Sequence, residues 1–404
     1  MSQSQLSMMP LKIDKSRRLW LALLLGSFAA IAPLSTDMYL PSLPALAEDL
    51  QSNTSVAQLT LTANLLGLGL GQLWLGTLSD QRGRRMPLII SLTVYCLSSF
   101  LCTIAPSIDL LIIFRFIQGV SGAGGMVISR AIVRDLYSGS ELTKFFALLM
   151  LINGAGPIVA PVIGGQLLQF TSWRGIFVVL GFLGILMILG AIFSIQETLS
   201  TENRIAAGFK NTLLTIKGLL KDRIFMGYVF TQGFVTAAMF SYISGSPFVI
   251  QNIYGTSPQM FSFIFALNGL GIIIAGQTTG RLAGRVKEAT LLKIGLSTAT
   301  FGGLLLSIML LLEIGLIGVL FALFFVVSSV GIVGTSVFSL AMESQGKSAG
   351  SAAAFLGLMP FVLGAMTAPL AGIGNGHSAW PMAIVILLCE MIAVISYLFL
   401  VKRK

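Results

Sequence analysis

The chain has 404 residues, of which 55% are hydrophobic and 10% charged, against roughly 45 to 50% and about 25% in an ordinary soluble domain. With a formal charge of +10, one histidine and three cysteines, this composition excludes a soluble globular enzyme and a disulfide-built secreted domain. Apolar runs long enough to cross a bilayer, about 20 residues each, recur along nearly the whole length, so the expected fold class is an all-α integral membrane protein.

Twelve spans are predicted. The first six cover 19–41, 56–78, 87–106, 109–133, 142–169 and 174–195. The second six cover 224–250, 259–283, 290–312, 314–341, 349–374 and 379–401, and a polar linker at 196–223 joins the sets. The expected organisation is an N-terminal six-helix half at 1–195, a cytoplasmic linker at 196–223 and a C-terminal six-helix half at 224–404. "KSRRLWLALLLGSFAAIA" at the first span also has the regions of a signal peptide. Pro33 where cleavage would fall, and apolar character running on to Met38, favour a retained span. Cys96, Cys102 and Cys389 all lie inside spans, where they pack as small hydrophobes. No metal-ligand spacing occurs, no cofactor is called for, and His377 sits in a short loop.

All of the 25 basic residues except Arg115 and Arg174 fall at the ends of spans that share one side. They include Arg17 and Arg18 before span 1, Arg82, Arg84 and Arg85 after span 2, Arg134 after span 4, and Arg204 in the linker. This asymmetry marks a cytoplasmic face with both termini on it. The charge sets topology and does not call for nucleic acid.

Along the chain, ionisable groups inside spans are the first functional candidates. Asp37 ends the apolar run of span 1 in "APLSTDMYLPSLP", and Arg115 lies at matching depth in span 4. Such groups must face a cavity or each other. An arginine beside Asp37 favours the carboxylate and dehydration favours the acid, which would make the pair a device for loading and unloading a proton. A static ion pair is the alternative. Glu390, mid-span 12, is a possible second proton site or a locally hydrogen-bonded carboxyl. Tyr39, Asn64, Asn153, Tyr242, Phe265 and Asn268 are the polar and aromatic candidates for a substrate site, each with packing as the alternative. Gly154, Gly156, Pro157, Pro161, Gly164 and Gly165 crowd span 5, where prolines remove helix hydrogen bonds and a mobile or static bend is expected.

"GTLSDQRGRRMPL" after span 2 has a short echo after span 8, Gly76-Thr77-Leu78-Ser79 against Gly280-Arg281-Leu282-Ala283. The first copy resembles the loop 2/3 signature of the major facilitator superfamily, with Gln81 in place of the usual arginine. "RFIQGVSGAGG" resembles the superfamily's span 4 motif and "NGAGPIVAPVIGGQL" its antiporter motif in span 5. "TDMYLPSLP", "SWRGIF", "FSYISGSPFVIQ" and "AMESQGKSAGSAAAFLG" are similar to the Bcr/CflA group of drug:proton antiporters, so the resemblance covers both halves.

It implies the major facilitator fold, with spans 1 and 4 beside a central cavity. It implies coupling roles for Asp37 and Arg115, a helix bend at the span 5 motif, and a cytoplasmic gate built from Gly76, Asp80, Gly83, Arg84, Arg85 and Arg134. It further implies a monomer in a bacterial inner membrane. The expected function is proton-coupled export of drug-like small molecules. Export of a natural metabolite such as an amino acid, or uncoupled facilitation, is the alternative. An enzyme is not expected, since no catalytic cluster occurs, and no ATP-binding loop occurs either.

Overall fold

The computed structural model describes residues 15–204, 217–343, 345, 349–373 and 376–401. Lys12, Lys210, Lys347 and the tail from residue 402, which contribute to the charge asymmetry, lie outside the described residues, as does the side chain of Asn153.

The described chain is helical almost throughout, and its long helices follow the twelve spans. In the first half they are Lys15–Ala29 with Ile31–Asp37, Thr54–Arg82, Arg85–Thr103, Ile108–Leu136, Gly139–Leu167 and Trp173–Ser194. In the second they are Arg223–Pro247, Pro258–Leu282, Glu288–Leu311, Leu316–Glu343, Ala349–Thr367 and Trp380–Ser396. Ten of the twelve segments are long and apolar enough to cross a membrane by length and composition. Span 2, Thr54–Arg82, is as long as any but carries Gln58, Thr60, Thr62 and Asn64 on buried positions. It faces protein on most sides, so it does not need an apolar surface all round.

Span 1 runs further than its composition suggests. After Asp37 the helix breaks, turns through Leu40–Ser42 and resumes as Leu43–Asp49. Pro41 and Pro44 each stand in the first turn of one of these pieces, where a missing N–H costs nothing. Span 1, expected to end at residue 41, is therefore a longer element with a break, and Asp37 sits at that break.

Packing repeats with a shift of six spans. Spans 1, 2, 3, 4 and 6 contact one another in the pairs 2 with 4, 3 with 6, 3 with 4, 1 with 4 and 1 with 6. Spans 7 to 12 repeat the same pairs as 8 with 10, 9 with 12, 9 with 10, 7 with 10 and 7 with 12. Between the sets, span 5 meets span 8 and span 2 meets span 11. The result is two six-helix halves with the same internal packing.

Close approach within a half depends on missing side chains. Gly67 and Gly71 of span 2 lie against the span 4 backbone at Phe116, Gly119 and Val120, and Gly119 lies against the backbone of Asn64. Small residues allow this contact between helices in a membrane.

Hydrogen bonds between the halves, among the described residues, all lie at the face opposite the basic loops. Gln58 Nε2 donates to the Ser244 carbonyl at 3.0 Å, Gln251 Nε2 to the Pro41 carbonyl at 3.1 Å, and Gln259 Nε2 to the Gly165 carbonyl at 2.9 Å. These three bonds join the halves at that face. At the basic face, among the described residues, loop 2/3 is tied within the first half and to the start of the linker, as described next, and Gln345 Nε2 donates to Asp222 Oδ2 at 2.9 Å within the second half.

Candidate functional site

Among the described residues Arg115 is the largest fully buried side chain. Its guanidinium carbon stands 4.3 Å from the Tyr39 ring centroid and 5.5 Å from that of Phe177. Nη1 donates to Gln118 Oε1 at 2.5 Å, and Gln118 Nε2 passes the chain on to Ser99 Oγ at 2.8 Å. The Arg115 carbonyl accepts from Asn64 Nδ2 at 3.2 Å, and Tyr39 Oη meets Thr60 Oγ1 at 3.2 Å. Spans 1, 2, 3, 4 and 6 thus each supply one wall. Nε and Nη2 of Arg115 are buried without a hydrogen-bond partner. Three contacts hold the charge, and two donors are left over for a group that enters the site.

Asp37 is buried, with 5% of its surface exposed. It feels the charge of Arg115 and lies beside Thr36, but no ion pair within 4.0 Å joins the two, although both are among the described residues. The tyrosine two residues on, not the aspartate, covers the guanidinium. A face-on arginine–aromatic contact stabilises by about 2 kcal/mol when desolvated, and it leaves the Asp37 carboxyl untied to the guanidinium.

In the second half Tyr242 and Phe265 stack with centroids 5.4 Å apart and planes 10° apart, and Asn268 Nδ2 donates to Tyr242 Oη at 3.2 Å. All three are buried. Tyr39, Phe177, Tyr242 and Phe265 belong to one continuous apolar cluster across the interface, and the Leu40–Ser42 turn touches spans 7 and 8. The sequence candidates Tyr39 and Asn64 thus gather around Arg115, while Tyr242, Phe265 and Asn268 form a second group across the interface.

Span 5 stays helical through Pro157 and Pro161. Its glycines mark contacts: Gly156 lies on Pro33, Gly164 on the Met38 backbone at the span 1 break, Gly165 on Ser262 of span 8, and Gly154 near Ile273 of the same span. The motif places span 5 between the carboxylate-bearing break and the opposite half.

At the basic face Arg84 is 2% exposed. It binds Asp80 at 2.5 Å, Asp135 at 2.8 Å and Ser79 Oγ at 2.9 Å. Asp135 also accepts from Thr198 Oγ1 at 3.1 Å. Arg85 donates to the Ile192 carbonyl, and Gly76 faces Val127 of its own half. Gly83 has φ +93 and lies against the Glu197 carboxylate, a conformation and an approach that a side chain would disrupt. Glu197 accepts from the backbone N–H groups of Arg84, Arg85, Thr198 and Leu199. Burial opposes its ionisation, but these four donors outweigh that and hold its carboxyl below the usual range.

Arg134 is exposed and outside this network. Its neighbour Asp135 supplies the contact, and neither Asp135 nor Glu197 was singled out by the sequence, where each reads as an ordinary charge at a span end. Removing Asp135 strands part of a buried guanidinium. Asp135→Ala is therefore expected to lower the unfolding free energy by about 2 to 3 kcal/mol, and Arg134→Ala to change it by less than about 0.5 kcal/mol. Thermal melting of the purified variants checks the contrast; equal losses would contradict it.

Glu390 is 1% exposed and packs against Gly303 of span 9. That places it between spans 9 and 12, away from the Arg115 group. The three cysteines are free and buried. On the opposite face Arg174 pairs with Asp49, which also accepts from Trp173 Nε1 at 3.0 Å.

Comparisons with known proteins agree with this architecture. The chain is 45% identical over 389 residues, 96% of each chain, to the uncharacterized MFS-type transporter YdgK of Bacillus subtilis (strain 168). It is 30% identical over 382 residues, 95% of this chain and 96% of the other, to the bicyclomycin resistance protein homolog of Haemophilus influenzae. Among solved structures, the xylose transporter XylE from E. coli matches with a TM-score of 0.75 at 13% identity, covering 96% of this chain and 98% of that one. A bacterial homologue of the human lysosomal transporter Spinster matches with a TM-score of 0.73 at 14% identity, again over 96% and 98%. The family model of the Major Facilitator Superfamily matches residues 23–369, and with these relatives and this fold the chain belongs to that superfamily: it is a membrane transporter of small molecules, not an enzyme.

Proposed function

We propose that this transporter exports lipophilic, drug-like molecules in exchange for protons entering the cell. The observation that carries the reading is Arg115, fully buried, stacked on Tyr39 and left with two unpartnered donors next to an unpaired Asp37. A buried charge of this kind in a membrane span is a functional feature by default. The similarity to a bicyclomycin resistance protein homolog supports a drug as the cargo. The basic loops would face the cytoplasm of the bacterial inner membrane, which would make the face joined by Gln58, Gln251 and Gln259 the outer one.

The halves, 1–195 and 224–404, would rock about the Arg115 and Tyr242 groups, as transporters built from such repeats do. The linker at 196–223 would join them, and the Arg84 network, with Gly76, Gly83 and Arg85, would brace loop 2/3 at the cytoplasmic gate. Substrate would enter between Tyr39 and Tyr242 with Asn64, Phe265 and Asn268 at its edges, and a proton reaching Asp37 from outside would favour release and return. Aromatic walls with few directional polar groups suit amphiphilic, loosely specified ligands.

The test is transport in inverted membrane vesicles carrying an imposed proton gradient. A panel of cationic and neutral drugs should include compounds that collapse the gradient only when the protein is present. Collapse by an amino acid and by no drug would favour the metabolite exporter, and substrate flux with no collapse would favour the facilitator.

A further inference from the structure

A cavity of about 700 Å³ lies away from the interface between the halves. It is a groove on the flank of the first half, between spans 2, 3 and 4, walled by Trp74, Leu78, Met86, Ile90, Ile117 and Val120. Trp74, Met86 and Ile90 are each more than half exposed, so the groove opens sideways, where a membrane protein meets lipid acyl chains.

Its two ends differ in chemistry. Along span 2 it runs from Arg82 to the level of Gly71, which packs on Val120, a rise of about 16 Å. That is about the depth of one leaflet of a hydrocarbon core roughly 30 Å thick. The upper part is apolar. The mouth, at the basic face, carries Arg82 from loop 2/3 and Arg204 from the start of the linker.

These two arginines differ from their neighbours. Arg84 is taken by Asp80 and Asp135, and Arg85, although its Nε is also without a partner, spends Nη2 on the Ile192 carbonyl. Arg82 is exposed, and among the described residues no ion pair engages it or Arg204. Arg204 Nε is buried without a hydrogen-bond partner. Glu197 is close by, but its carboxylate is occupied by backbone N–H groups and forms no ion pair with Arg204. The mouth therefore has two uncommitted cations from different segments at headgroup level, above an apolar slot of leaflet depth.

We propose that this groove binds one anionic phospholipid of the adjacent leaflet, with its phosphate between Arg82 and Arg204 and an acyl chain along Leu78, Ile90 and Val120. Basic pockets between membrane helices recognise anionic headgroups in this way, and a guanidinium pair suits a phosphate in both geometry and charge. The bound headgroup would tie the start of the linker to loop 2/3, beside the Arg84 network.

The experiment is native mass spectrometry of the delipidated full chain, titrated with dioleoyl phosphatidylglycerol, with dioleoyl phosphatidylcholine, and with inorganic phosphate as the free-anion arm. The native protein should retain one phosphatidylglycerol at least about tenfold more tightly than phosphatidylcholine. The double variant R82Q/R204Q should reduce this to the phosphatidylcholine level. Ile90→Trp, which fills the slot and leaves both charges, should weaken phosphatidylglycerol as well. Melting curves in lipid-free detergent confirm that each variant is folded, and single variants R82Q and R204Q replace the double one if it is not. Equal retention of the two lipids, unchanged binding in R82Q/R204Q, or displacement of the lipid by millimolar phosphate would each overturn the proposal.

Discussion

Arg115→Met should reduce substrate-driven collapse of a proton gradient by at least about a hundredfold, or about 2.7 kcal/mol in barrier terms, and yet leave the folded protein as stable as the native one or slightly more so. The two halves of that expectation come from the same geometry. Desolvating a guanidinium costs several kcal/mol. Here it is offset by one charge-assisted bond to Gln118, worth roughly 1.5 to 3 kcal/mol, and by face contact with Tyr39 and Phe177. With Nε and Nη2 unpartnered, the account does not close in the charge's favour. Methionine keeps most of the length and lies on the same rings, at the expense of an unpaired Gln118 oxygen. A residue kept only for packing gives the reverse pattern: a melting temperature lowered by several degrees, with transport falling only in proportion to the folded fraction. Melting in detergent and gradient collapse in inverted vesicles, measured on one preparation, separate the two.

How much of this site was legible in the sequence depends on what kind of fact each residue carries. An ionisable group in an apolar run is conspicuous because its cost there is large, so Asp37, Arg115 and Glu390 stood out at once. The depth match of the first two was also readable, since it needs only counting along helices. What covers the charge was not readable. The Tyr39 ring, Ser99 and Phe177 come from spans 1, 3 and 6, whereas Gln118 lies one turn from Arg115 on span 4, and only the close approach at Gly67, Gly71 and Gly119 brings spans 2 and 4 to that register.

The end of span 1 was misplaced. It was expected at residue 41, but Pro41 and Pro44 each fall in the first turn of a new helical piece, so the element continues to Asp49. The twelve-helix, two-half fold was legible because apolar length and the placement of basic loops state it directly. The Arg84 network was half legible: the loop motif named Asp80 and Arg84, whereas Asp135 and Glu197 are fixed by tertiary contacts that no local pattern records. The flank groove was not legible at all, because its walls are ordinary lipid-facing residues until three helices leave a gap between them.

Asp37→Asn should uncouple transport without abolishing it. On the proposed mechanism the substrate-dependent collapse of an imposed proton gradient disappears, while exchange of labelled substrate across the same membrane, with no gradient present, stays within about threefold of the native rate, a difference of no more than about 0.7 kcal/mol. Asparagine preserves the size and much of the hydrogen-bonding capacity of the side chain at the helix break, so the Ile31–Asp37 segment and its contact with span 5 have no reason to move. What it removes is the ability to carry a proton and to feel the field of Arg115 as an anion. Because no ion pair within 4.0 Å joins the two residues, the substitution also leaves no partner newly orphaned, and the melting temperature should hold. Arg115→Met and Asp37→Asn therefore fail differently: the first loses exchange and collapse together, the second loses collapse alone. If Asp37→Asn instead kept gradient-driven export at the native rate, the proton would have to travel by another group, and Asp37 would be a residue that shapes the break in span 1.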